Sequence, residues 1–223
     1  MKLKPILFYH NIGHENYKSF STVDEFDYQM NYLSNNGIKS IDCNNLDNET
    51  GGFCITFDDG YEDNLIYALP ILKKYNLTAT CFIVPKLIGK TNVWDQRQFK
   101  LMDSYQIKEW IDEGMSIGSH SFSHQNLTKI NNNELKTEID GSKKYLEDKF
   151  QLDINNFCYP YGKYNQSIIN EVKKSEYKKA FTTKRGLYNK LNTKPYEINR
   201  IPVSRGISKF KLWLKTKTIY EDL

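Results

Sequence analysis

Apolar and polar positions along this 223-residue chain switch repeatedly between two periods. Short apolar runs bounded by turn residues predict strands at "PILFYHN", "IKSID", "GFCITFDDG", "TATCFIVP", "MSIGSH", "NNFCYPYG", "KKAFTT" and "EINRIPV". Between them, apolar residues three or four apart predict helices. "TVDEFDYQMNYLSNNG" spaces Phe26, Met30 and Leu33 behind a threonine cap and stops on a glycine. "NLIYALPILKKYN" reads as a helix despite Pro70, and "SYQIKEWIDEG", "NNNELKTEIDGSKKYLEDKF", "NQSIINEVKKSEY" and "KFKLWLKTKT" complete the set. Strands and helices that alternate in this way imply parallel strands joined by crossover helices. The expectation is one α/β domain over residues 1–223, a barrel of seven or eight strands, with a doubly wound open sheet as the other arrangement. No Gly-x-Gly-x-x-Gly follows the first strand, so the dinucleotide-binding form of the open sheet has no support.

Composition narrows the classes. Hydrophobic residues are 39% and aromatics 14%, enough for a substantial core and against global disorder. Lys and Arg exceed Asp and Glu by only 31 to 27, spread along the chain, which gives no footprint for nucleic acid. The four cysteines, Cys43, Cys54, Cys81 and Cys158, form no Cys-x-x-Cys pair. At least three of them lie in apolar runs, where cysteine acts as a small hydrophobe, as suits a reducing compartment. The apolar run before His10 is too short for a signal-peptide core, and no stretch approaches the ~20 apolar residues of a membrane span. The expectation is therefore a soluble cytoplasmic protein with no integral membrane segment. The oligomeric state is left open.

Candidate chemistry gathers at strand ends, where parallel α/β folds place their sites. "ITFDDG" ends an apolar strand on two adjacent carboxylates, Asp58 and Asp59. Asp-Asp-Gly is also a common turn, but two like charges after a buried strand repel unless a cation neutralises them. The chain has only four histidines, and "IGSHSFSH" holds two of them, His120 and His124. Imidazoles with one carboxylate make a facial ligand set for a divalent metal, with positions open for water and substrate. His10 ends the first strand, Tyr159, Pro160 and Tyr161 follow another, and Arg200 lies in a late one. Trp94 and Asp95 in "NVWDQRQF" form either a sugar-stacking platform with a hydrogen-bonding carboxylate or a plain surface turn. Phe210, Trp213 and Leu214 are at helical spacing among lysines near the C-terminus. They pack a helix on the barrel or favour a membrane surface, the former being preferred.

In order and spacing, "TFDDG", "HSFSH" and "YPYG" resemble the polysaccharide deacetylase (NodB-like) family, over most of the chain. The resemblance implies a distorted (β/α) barrel and a metal-dependent hydrolase that removes acetyl groups from an N-acetylated carbohydrate. Transferred by position, it implies metal ligands Asp59, His120 and His124, usually for zinc. It also implies a base at Asp58 and an oxyanion donor at the Tyr161 backbone N–H. Tyr159 and Pro160 are expected beside the substrate with Trp94 and Asp95. Two departures stand out. The family's motif arginine is replaced by Cys158, and Arg200 is expected to take its place beside Asp58. No histidine follows His124, so the acid for the leaving amine falls to Asp58 or His10. An amidase for a small non-sugar amide and a catalytically silent glycan-binding barrel are the rival readings.

Overall fold

A computed structural model describes residues 3–14, 20–35, 39–49, 51–191 and 193–217. Strand β1 (Ile6–Tyr9) leads into a small parallel pair, β2 (Asn11–Gly13) and β3 (Phe20–Thr22), and then helix α1 (Val23–Asn35). The predicted threonine cap is present: Glu25 N–H donates to Thr22 Oγ1, and Thr22 N–H to the Glu25 carboxylate. The predicted glycine stop of α1 lies outside the described residues. After β4 (Cys54–Phe57) come α2 (Leu69–Lys74), β5 (Thr80–Ile83), α3 (Ser104–Asp112) and β6 (Ser116–Ser119). Then follow α4 (Asn132–Lys136), α5 (Ser142–Phe150), β7 (Asn156–Cys158), α6 (Gln166–Lys174), β8 (Lys179–Phe181), β9 (Ile201–Pro202) and α7 (Lys209–Lys217).

Seven parallel strands form one sheet in the order β8-β7-β6-β5-β4-β1-β9. The sheet curls until its two edges meet on a single stretch of chain. Ile198 bridges Phe181 of β8, and three residues later Ile201 pairs with Leu7 of β1. This is a distorted barrel, with Arg200 in the stave that closes it.

The predicted strand at "IKSID" is corrected. Ile38 is outside the described residues, Ser40 makes only a single bridge to Phe53, and Asp42 caps the turn Cys43–Asn45. The reason is that β1 pairs directly with β4, leaving no ladder position between them. Asp58 therefore follows the second strand of the main sheet in chain order, not the third. Pro70 is accommodated because a wide π-helical turn, Asn64–Ala68, precedes α2 and places the proline in its first turn.

Both faces of the strands are apolar, as a closed parallel sheet requires. Leu7, Tyr9, Ile55, Phe57, Cys81 and Ile83 pack under the helices. Ile6, Cys54, Phe82, Cys158, Phe181 and Ile198 fill the interior. Gly118 belongs to this inner layer, where an added Cβ would sit 2.7 Å from the Phe82 ring. Because side chains alternate, His10, Asp58 and His120 follow Phe8, Thr56 and Gly118 on the inward face, one step nearer the mouth. Among the described residues no helix is long and apolar enough to cross a membrane.

Helix α7 departs from its expected apolar stripe. Leu212 is fully buried with Lys215 and Thr216, whereas Phe210 and Trp213 stack on each other in solvent at 68% and 42% exposure.

Candidate active site

Asp58 prolongs the β4 ladder by donating its N–H to the Tyr9 carbonyl (3.0 Å). The next two residues leave the ladder with positive φ, 76° at Asp59 and 79° at Gly60. This turn sends the neighbouring carboxylates to different partners. Gly60 has little alternative, since a Cβ there would also lie 3.1 Å from Ile83 Cδ1.

Asp59 Oδ1 lies 3.4 Å from His120 Nε2 and 3.3 Å from His124 Nε2. All three groups are buried, and their ligand atoms fall within 4.8 Å of one another. Asp59 Oδ1 and His124 Nδ1 are buried without a hydrogen-bond partner. Two ligands at about 2.0–2.1 Å from a tetrahedral ion stand roughly 3.4 Å apart, so the trio fits a divalent cation. His120 is oriented for this by its other nitrogen: Nδ1 donates to the Cys158 carbonyl (2.8 Å), so that in the neutral ring Nε2 is the nitrogen left to ligate. Burial opposes the charge on Asp59, but the two imidazoles outweigh it and hold its carboxyl well below the usual range. Burial lowers His124, toward the neutral form that ligates metal.

Asp58 turns into the barrel. Its two oxygens accept from Arg200 Nη1 (2.8 Å) and Nη2 (2.7 Å), a bidentate pair with both groups out of solvent. The guanidinium also donates to Thr56 Oγ1 (3.0 Å), the Thr182 carbonyl (2.9 Å) and Cys158 Sγ (3.1 Å). It faces the rings of Phe8 at 4.4 Å and Phe82 at 5.7 Å. Burial pushes the Asp58 carboxyl up, and Arg200 more than reverses this, leaving it below the ordinary value.

The site thus sets three groups that fit a divalent cation beside a second carboxylate kept ionised, at the mouth of a parallel barrel. A family model described as "Polysaccharide deacetylase" matches residues 47–180, more than half of the chain. The chain belongs to the polysaccharide deacetylase family. A Bacillus subtilis (strain 168) relative, YxkH, described as a polysaccharide deacetylase, is 32% identical over 92% of this chain and 72% of its own. The poly-beta-1,6-N-acetyl-D-glucosamine N-deacetylase of Staphylococcus aureus (strain MRSA252) is 30% identical over 67% of this chain. This chain covers 53% of that enzyme, about half its length. The Streptococcus pyogenes deacetylase PplD, solved in complex with acetate, is 26% identical with a TM-score of 0.87, covering 97% of this chain and 99% of its own.

Backbone strain marks the candidate site. Asp59, Ser121, His124 and Tyr161 all have φ between 58° and 76°, a region that non-glycine residues rarely occupy. Trp94 lies against His124 (ring centroids 3.9 Å) and donates its indole N–H to the Tyr61 hydroxyl (3.2 Å). Tyr161, half exposed, meets His124 edge-on at 4.7 Å. Asp95 is close enough for its carboxyl, raised chiefly by burial, to be raised further by Asp59. His10 stands at the same mouth, near enough to Asp58 and Asp59 to add to the lowering of their carboxyls. Tyr159 and Pro160 are corrected as substrate contacts. Tyr159 is fully buried, donates its hydroxyl to the Tyr196 carbonyl (3.0 Å) and stacks on Tyr164, while Pro160 is buried beneath the loop. Tyr159 follows Cys158, whose side chain points inside, so alternation turns the tyrosine outward under the helices.

Two groups in this arrangement escaped the sequence reading. Thr56 contacts Arg200, and Glu138 holds the histidine loop. Glu138 is buried in the π-helical turn Thr137–Gly141 between α4 and α5. Its carboxylate accepts the N–H of Ser123 (2.9 Å) and the Ser123 hydroxyl, while its carbonyl accepts the Phe122 N–H (2.9 Å). Its position beside Leu135, Ile139 and Leu146, spaced as one helix face, was the available signal, since a charge on a buried stripe needs a partner.

His120 is aimed by a ring hydrogen bond, but His124 is aimed only by its backbone and its ring neighbours. Its N–H donates to Ser121 Oγ (3.1 Å), within the loop that Glu138 clamps. Glu138→Ala is therefore expected to weaken metal binding by about 10–100-fold, the range found when partners behind metal ligands are removed. A competition titration with a chelating indicator measures this; unchanged affinity in a folded variant would make Glu138 a structural residue only.

Proposed function

We propose that this chain is a metal-dependent hydrolase that removes the N-acetyl group from an N-acetylated sugar of a glycan, releasing acetate. The observation that carries the reading is the cation-fitting trio Asp59, His120 and His124, set beside an Asp58 that Arg200 keeps ionised. Two imidazoles and a carboxylate favour zinc among the common divalent ions. Such an ion would polarise the amide carbonyl and lower the pKa of water. Asp58, ionised and next to the trio, takes the proton of the attacking water. The Tyr161 backbone N–H, in the turn against His124, holds the developing oxyanion. Trp94 gives the sugar an apolar wall and Asp95 a hydrogen-bonding carboxylate. The proton taken by Asp58 is then available to the leaving amine, and His10 is the other group at the mouth able to deliver it.

Two measurements test this reading. Acetate release from N-acetylglucosamine oligomers should appear with added zinc and vanish with a chelator. Single alanine substitutions at Asp59, His120 or His124 should each abolish stoichiometric zinc. Full occupancy in His124→Ala would remove that residue from the ligand set.

A further inference from the structure

The turn that carries the Tyr161 N–H is strained, and little inside it fixes its shape. Tyr161 and Gly162 have consecutive positive φ angles, 58° and 64°. Such a conformation persists only where the surroundings impose it. Within the turn the Gly162 N–H donates to the Tyr159 carbonyl (2.9 Å) and the Lys163 N–H to the Pro160 carbonyl (3.1 Å). The Tyr161 N–H donates to no group among the described residues, and the Tyr161 ring is half exposed. Neither the free donor nor its own side chain therefore anchors the turn.

The anchors come from distant chain. Tyr164 stacks on Tyr159 (centroids 4.8 Å apart, planes at 21°), which clips the two ends of the turn together. Lys184 Nζ lies 4.9 Å from the centre of the Tyr164 ring, and the Tyr164 hydroxyl donates to Glu197 Oε2 (3.1 Å). Thr183 abuts Gly162 so closely that an added Cβ would overlap Thr183 Oγ1 and lie 2.8 Å from Thr183 Cβ. These partners fall in two stretches, 182–184 and 196–200, that are laced to each other. The Thr182 N–H donates to the Ile198 carbonyl (2.8 Å) and the Arg200 N–H to the Lys184 carbonyl (2.9 Å). Arg200 Nε donates to the Thr182 carbonyl (2.9 Å), and the same guanidinium holds Asp58. An oxyanion donor works only within about 2.7–3.1 Å of the place where the charge develops, so a small drift of the turn removes its effect.

We propose that Tyr164, Thr183 and Lys184 are positioning residues that hold the Tyr161 N–H where the oxyanion forms, so that the stave carrying Arg200 sets the base and the oxyanion donor together. This rests on the deacetylase reading, and the experiment separates the two. Acetate release from β-linked N-acetylglucosamine oligomers is measured with the zinc-loaded protein for wild type, Tyr164→Ala and Tyr164→Phe. Tyr164→Ala should lower kcat by about 10–100-fold, less than the ~100–1000-fold cost of deleting an oxyanion donor outright. Its KM and zinc content should be unchanged, since the lost contact is made only in the transition state. Tyr164→Phe keeps the stack and the lysine contact and should stay within about threefold of wild type. Gly162→Ala should lose kcat in the same way, and Thr183→Gly added to it should restore part of the loss by making room for the methyl group. A Tyr164→Ala variant within about threefold of wild type in kcat, or one that loses through KM instead, overturns the proposal. Absence of acetate in wild type strikes the deacetylase reading instead. Amide hydrogen exchange at Gly162 and Lys163, read without substrate, then decides the brace alone. Exchange roughly tenfold faster in Tyr164→Ala than in wild type and Tyr164→Phe supports it, and equal rates in all three overturn it.

Discussion

Asp58→Asn is expected to retain its zinc and to lose about a hundredfold to ten-thousandfold in kcat, the range assigned to general-base assistance. Asparagine keeps the shape but cannot accept the proton, and the three proposed ligands are untouched. The substitution also removes the anion that compensates Arg200, which is 0% exposed. Breaking a buried pair by removing one partner costs about 3–5 kcal/mol, so a lower unfolding temperature should accompany the lost activity. Rates must therefore be taken well below the variant's Tm, with metal content measured on the same sample. Activity within threefold of wild type, roughly 0.65 kcal/mol of barrier, would remove Asp58 from the role of base.

The second large effect is expected at Arg200→Met. Arg200 holds the Asp58 carboxyl below its ordinary value against a burial effect that pushes the other way. Without the guanidinium, burial dominates and the carboxyl rises above its unfolded value of 3.8. The acidic limb of the pH–rate profile should then move to higher pH while metal content is unchanged.

Stability follows the same sign. In wild type the lowered carboxyl contributes stability that is present above the unfolded pKa and is lost as pH falls through the folded one. In the variant the raised carboxyl reverses this, and stability is lost as pH rises past about 4. The gap between the two proteins, about 3–5 kcal/mol at neutral pH, should therefore narrow in acid. Arg200→Lys, which keeps charge without the bidentate fork, should fall between them. Denaturant titrations across pH check this, and a gap that does not change with pH would leave Arg200 a packing residue.

The sequence by itself determined the parts of this protein that rest on short-range physics. Alternating strand and helix periods led to a parallel barrel, because a one-sided helix and a two-sided apolar strand can be buried in few other ways. Carboxylates and imidazoles at the ends of "ITF" and "SIGS" marked one end of that barrel, because parallel strands bring all such ends together. The motifs "TFDDG", "HSFSH" and "YPYG" carried the family. Only the tertiary structure decided what depends on strand neighbours and on which face a side chain takes. "IKSID" has a strand's composition but no place in the ladder, since β1 and β4 take each other. Tyr159 sits beside Cys158 in the chain but faces the helices, one residue of alternation being enough to remove it from the site. Leu212 rather than Phe210 or Trp213 is buried, because what α7 packs against is set by distant chain. The pairing of Arg200 with Asp58 across 142 residues was an expectation that no local pattern could establish. It required the last stave to close the barrel, which brings the guanidinium against the Phe8 and Phe82 rings and within hydrogen-bond distance of the Asp58 carboxylate.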